Sequence, residues 1–163
     1  MIQRKQTIWL GLIFILCFFS VWINVPFREV KGKLDRKLIE DAFAQIGFSY
    51  TSIEIAKIRE EKQENTFLKY STILLGINSL ICIFLFKQRN RQLLLVKLNF
   101  GLILMLAVFM AYYGWGKRYV DLEPDPQIII SIIFPLLFFW FNLKAFQGIK
   151  KDEELVRSYD RIR

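Results

Sequence analysis

Residues 70–116 read YSTILLGINSLICIFLF (70–86), KQRNR (87–91), QLLLVK (92–97) and LNFGLILMLAVFMAYYGWG (98–116). Tyr70–Phe86 and Leu98–Gly116 carry no charge over 17 and 19 residues. A hydrocarbon core ~30 Å thick takes ~20 mostly apolar residues at ~1.5 Å each. The turn Lys87–Arg91 is five residues long. It is too short to reach a distant element, so the two apolar segments are expected as antiparallel neighbours.

Two more charge-free runs lie outward, Thr7–Val25 with 19 residues and Gln127–Leu143 with 17. Four such runs in 163 residues predict an all-α membrane protein. The expected fold is an antiparallel bundle of four transmembrane helices, spanning about 7–25, 67–86, 93–116 and 127–146. Pro26 marks the end of the first span, and Pro135 predicts a kink in the fourth. Lys97 lies early in its span, where its stem can snorkel to the interface. Tyr112, Tyr113 and Trp115 form an interfacial aromatic belt.

The N-terminal run is flanked by Arg4 and Lys5, as in a signal peptide. It is long, and Asn24-Val-Pro-Phe27 offers no small-x-small cleavage site. An uncleaved anchor is expected.

Composition excludes several chemistries. There is no His, so His-based catalysis and His-ligated metals are absent. Cys17 and Cys82 form no CxxC pair and sit at different depths in their runs, which predicts two buried free thiols. No ionisable residue lies at the centre of a span, which argues against a proton relay or voltage sensor. The net charge of +8 comes from residues that flank apolar runs. That placement suits anionic headgroups rather than nucleic acid.

Residues 26–66 hold eight basic and eight acidic residues, too polar for lipid. Leu34, Leu38, Ala42 and Ile46 recur every four residues, which predicts an amphipathic helix folded over the mouth of the bundle. Gly47 suits its C-cap, with Phe48 as the contact behind. Thr51-Ser-Ile-Glu54 fits a capping box, so a second helix is expected to start there.

Among polar residues within spans, Asn78, Ser79, Asn99 and Asn142 read as interhelical hydrogen-bonding groups. The rival reading is a substrate or lipid site. Ala107, Ala111 and Gly114 permit close helix approach. Asp121, Glu123 and Asp125 place three carboxylates within five residues. A solvated turn explains them better than a cation site, because the length and glycine of a calcium loop are missing.

The tail, residues 147–163, is expected to be a charged helix, with Glu153–Arg157 as a favourable i,i+4 pair. Leu155, Tyr159 and Ile162 form one apolar stripe beside Arg157, which predicts an interaction surface. Basic residues split 12 to 11 between the two sides, so their number decides nothing. Their placement beside short turns puts both termini in the cytoplasm of an inner-membrane protein.

Three segments together resemble a known family. They are Met1-Ile-Gln-Arg with Gln6-Thr7, Lys87-Gln-Arg-Asn-Arg-Gln-Leu with Val96-Lys-Leu-Asn99, and Ile149-Lys-Lys-Asp-Glu-Glu-Leu-Val-Arg-Ser-Tyr-Asp-Arg-Ile-Arg163. The family is domain-of-unknown-function family 4293, small four-span proteins of the Bacteroidetes lineage. The resemblance covers essentially the whole chain, implies a four-helix membrane protein and carries over no activity.

The functional expectation is therefore a structural or accessory component of a cell-envelope complex, not an enzyme. No catalytic residue, cofactor or metal is assigned. Membrane lipids and a protein partner, within the membrane or at the tail, are the expected contacts. The alternatives are a small transporter or channel with a polar path near Asn78 and Ser79, or a lipid-modifying enzyme.

Overall fold

The computed structural model describes residues 3–33, 41–55, 59–116 and 129–162. Helix α1 (Gln3–Trp22) leads into four strands, β1 (Pro26–Lys33), β2 (Asp41–Gly47), β3 (Tyr50–Ile55) and β4 (Arg59–Glu64). Helices α2 (Thr66–Phe84), α3 (Arg89–Ala111) and α4 (Ile129–Ile162) follow. A short 3₁₀ turn, Leu85–Lys87, joins α2 to α3, and a π-helical turn, Tyr112–Gly116, extends α3.

The strands form one antiparallel sheet in the order β1-β2-β3-β4. Arg28, Ile46, Thr51 and Gln63 share one register row, and Val30, Ala44, Ile53 and Glu61 the next. Both rows lie on the face that carries the buried residues Ala44, Ile46, Thr51 and Ile53.

The sheet overturns the all-α expectation. Two helices were predicted between residues 34 and 66, where β2, β3 and β4 stand. The misleading signal was the four-residue spacing. Four is an even number, so one strand face satisfies it as well as a helix stripe does. Alternation is the better description: Ala44 and Ile46 are buried while Phe43 and Gln45, which alternate with them, are partly exposed. The Thr51–Glu54 capping box is a strand segment with Thr51 and Ile53 inward. Leu34 and Leu38 lie outside the described residues.

The expected bundle of four transmembrane helices is corrected too. Among the described residues, two helices are long and apolar enough to cross a membrane, Thr66–Phe84 and Arg89–Trp115. The apolar part of α1 is Gln6–Trp22. Its 19-residue charge-free run is shortened because the chain leaves the helix after Trp22 and Asn24 turns to φ 51°. The apolar part of α4 carries Lys144 and passes without a break into the charged tail.

The helices pack in a ring, α1 against α2 and α4, and α3 against α2 and α4. The larger core joins sheet and helices through Phe27, Ile46, Phe48, Leu75, Leu106 and Phe138. Phe48 meets Phe27 and Phe134 edge-on at 5.5 and 5.1 Å. A second core, with Leu10, Cys82, Val96, Ala145 and Ile149, fills the other end.

Candidate functional site

Polar chemistry concentrates at three levels of the molecule. At the sheet end, two asparagines hold the β2–β3 hairpin. Asn24 Oδ1 accepts from the amides of Ser49 (2.8 Å) and Tyr50 (3.1 Å), and its Nδ2 donates to the Tyr50 carbonyl (3.1 Å). Asn65, which precedes α2 and is fully buried, donates through Nδ2 to the Gly47 carbonyl (2.8 Å) and Thr51 Oγ1 (2.9 Å). Its backbone amide donates to the Ser49 carbonyl at 2.9 Å. The end of α1 and the start of α2 are thus fastened to the same five residues.

Arg28 lies beside this clamp, 5% exposed. Its Nη1 donates to the Gly114 carbonyl, and its guanidinium lies 4.7 Å from the Trp115 ring centroid. Its Nε is buried without an acceptor. Burial pushes its pKa below the ordinary arginine value. A Cβ at Gly114 would stand 3.6 Å from both Arg28 Cδ and the Phe27 ring, ordinary van der Waals contact, so the Arg28 bond does not depend on glycine there.

At mid-height the polar groups between helices bond one another or backbone carbonyls of neighbouring helices. Asn78 Nδ2 donates to Asn99 Oδ1 (2.7 Å) and to the Leu95 carbonyl (3.1 Å). Asn99 Nδ2 donates to Ser79 Oγ (3.2 Å). Gln92 Nε2 reaches the Cys82 carbonyl (3.0 Å), and Asn142 Nδ2 the Val96 carbonyl (3.1 Å). Asn142 Oδ1 is buried without a donor.

At the far end, Gln6 and Asp152 meet across 146 residues of sequence, the Gln6 amide donating to the Asp152 carboxylate. Both are 6% exposed. Arg89 Nη1 donates to the Asp152 carbonyl (3.0 Å). Gln6, Thr7, Phe86, Arg89, Gln92, Ile149 and Asp152 line a narrow crevice there.

Against this geometry, one family model matches residues 2–162, that of the domain of unknown function DUF4293. The chain belongs to the DUF4293 family. No curated protein matches it.

In this DUF4293 chain the structure brings together Asn78, Ser79 and Asn99 of the predicted polar residues. Asn142 bonds separately to α3. The tail continues α4 as a helix to Ile162. Leu155 is 40% exposed, and the side chains of Arg157, Tyr159 and Ile162 lie outside the described residues. Asp121, Glu123 and Asp125 lie outside them as well. Cys17 and Cys82 are free and buried.

Sequence reasoning missed Asn24, Asn65, Arg28, Gln6 and Asp152. Asn24 and Asn65 carried a signal, since each flanks an apolar run where a helix end needs polar partners. Arg28, Gln6 and Asp152 carried none, because tertiary contacts alone bury them.

Proposed function

We propose that the chain is a multi-pass inner-membrane protein that serves as a non-catalytic, structural or accessory component of a cell-envelope assembly. One observation supports the membrane reading above the rest: polarity is turned inside out. Between the helices lie Ser71, Thr72, Asn78, Ser79, Gln92, Asn99 and Asn142, all buried. Outward stand Phe18, Trp22, Phe67, Leu74, Ile77, Phe84, Leu98, Leu104, Val108, Leu136 and Trp140, each about half exposed or more. All four helices contribute to this exposed apolar surface, whereas a soluble monomer rarely exposes a contiguous apolar patch of more than a few hundred Å². Lipid is the solvent that such a surface suits.

In this reading the α2–α3 hairpin, long and apolar enough to cross, is the centre of the membrane part, with α1 and α4 packed beside it. The sheet caps the periplasmic end, and the α2–α3 turn lies in the cytoplasm with both termini. Exposed Arg91, Lys150 and Lys151 gather at that end with Lys87, as the positive-inside rule asks. Lys144 sits 4.9 Å from the Trp140 ring centroid, an interfacial pairing of cation and aromatic.

The accessory role is supported by how the interior amides are spent. Asn78, Asn99 and Ser79 bond one another instead of lining a passage, which favours packing over the transporter alternative. The helical tail, with Leu155 and Val156 about 40% exposed, is the surface offered to a protein partner.

Two measurements test the proposal. A reporter active only in the cytoplasm, fused after Arg163, is expected to work, and activity of a periplasm-dependent reporter there overturns the orientation. Gentle-detergent capture is expected to recover a stoichiometric partner, reduced by Leu155→Asp with Tyr159→Asp. Unchanged recovery with that double variant overturns the role of the tail.

A further inference from the structure

The crevice at the cytoplasmic end contains two acceptors that nothing among the described residues satisfies fully. The Asp152 carboxylate takes one neutral donor, the Gln6 amide. Among the described residues no lysine or arginine forms an ion pair with it. Gln6 Oε1 is buried without any donor. A carboxylate 6% exposed beside an orphan amide oxygen is an expensive arrangement unless something cationic and hydrogen-bonding completes it.

The crevice specifies the size and type of that group. Its free space suits one group the size of a water molecule. A primary ammonium fits, with three N–H donors on a compact head. A trimethylammonium does not, since it is bulkier and donates nothing. A metal ion is poorly served, because no cluster of three His, Cys, Asp or Glu occurs among the described residues.

The surroundings specify what carries the ammonium. Arg89 lines the crevice with one Nη on the Asp152 carbonyl, and the other N–H groups of its guanidinium remain to meet an anion. Arg91, Lys150 and Lys151 are exposed nearby. This ring repels a bare cation but welcomes a zwitterion that brings its own phosphate. Exposed Phe86 lines the opening with apolar surface.

We propose that this crevice binds the primary-ammonium headgroup of an aminophospholipid, with the ammonium on Asp152 and Gln6 and the phosphate on Arg89. The assignment rests on the membrane reading above. It makes the cytoplasmic end a headgroup-selective contact rather than a general apolar one.

The test compares phosphatidylethanolamine with phosphatidylcholine of identical acyl chains, by lipid retention in native mass spectrometry of the detergent-purified chain. Phosphatidylethanolamine is expected to be retained about tenfold better, the worth of one charge-assisted hydrogen bond. Asp152→Asn keeps the shape and the Gln6 bond and is expected to abolish the preference. Gln6→Met, which removes the orphan acceptor, is expected to reduce it and serves if Asp152→Asn does not fold. Equal retention of the two lipids by the wild-type chain overturns the proposal. Stabilisation by free ethanolamine without any lipid preference overturns the lipid as the source. Release of the chain from membranes by alkaline carbonate would instead overturn the membrane reading, so the two failures are distinguishable.

Discussion

The Asn24 carboxamide occupies the space that a side chain at Gly47 would need. A Cβ on Gly47 would lie 2.6 Å from both Cγ and Nδ2 of Asn24. Gly47 has no positive φ, so closeness rather than backbone conformation demands glycine there. The same carboxamide makes three hydrogen bonds to Ser49 and Tyr50. The hairpin can be held only because position 47 is empty.

Gly47→Ala is therefore expected to destabilise by ~1–3 kcal/mol, the usual range for overpacking. Asn24→Ala loses the clamp instead, and the double variant should cost less than the sum, because each change removes the other's conflict. Denaturant unfolding in detergent checks this. Strict additivity would show that the two residues do not compete for one space.

Asn65→Ala should cost about 2 kcal/mol. It strips donors from the Gly47 carbonyl and Thr51 Oγ1 in a fully buried place. Limited proteolysis in the β2–β3 hairpin should speed up in this variant while sites near the α2–α3 turn stay protected. Uniform loss of protection would mean that the clamp supports the whole chain.

A double-mutant cycle on Asn78→Ala and Asn99→Ala should return a coupling of about 0.6–1.7 kcal/mol, as for interhelical hydrogen bonds in membranes. The 2.7 Å bond between them is the shortest of the mid-height network. Zero coupling, read from thermal melts of the four proteins, would remove Asn78–Asn99 as a packing contact.

Arg28→Met should stay within ~1 kcal/mol of the wild type, because it fills similar volume and removes a desolvated charge. Arg28→Lys should be worse, since a compact ammonium can neither fork nor stack as the guanidinium does. Burial lowers the Arg28 pKa in the folded state. The unfolded chain then binds the proton more tightly, so stability from this group rises with pH only just below the ordinary arginine value. Between pH 6 and 9 the difference between Arg28→Met and wild type should be flat. A slope in that window would place another titrating group at the site.

The α2–α3 hairpin was readable because its signal is local: two charge-free runs and a basic five-residue turn. Asn78, Ser79 and Asn99 were readable for the same reason, as polar groups in apolar surroundings. The sheet was not, because the spacing of Ala42 and Ile46 serves a strand face and a helix stripe equally. The length of α1 was misjudged because charge is a poor guide to where a helix stops. Asn24, with φ 51° and bonds to residues 25 and 26 positions away, ends it for tertiary reasons. Gln6 and Asp152 lie at opposite ends of the chain, and their encounter depends on the ring closing.

The two cysteines divide the interior between them. Cys17 belongs to the core beneath the sheet, where Gly76 would bring a Cβ within 3.1 Å of its own, and Cys82 belongs to the core at the far end. The wild-type chain thus carries a pair of intrinsic clocks. A thiol-reactive dye added under mild destabilisation must wait for α1 to part from α2 before it can stain Cys17, and for the opposite pole to open before it can stain Cys82. Peptide mapping of which position is stained first reports the order in which the molecule comes apart, without engineering any probe into it.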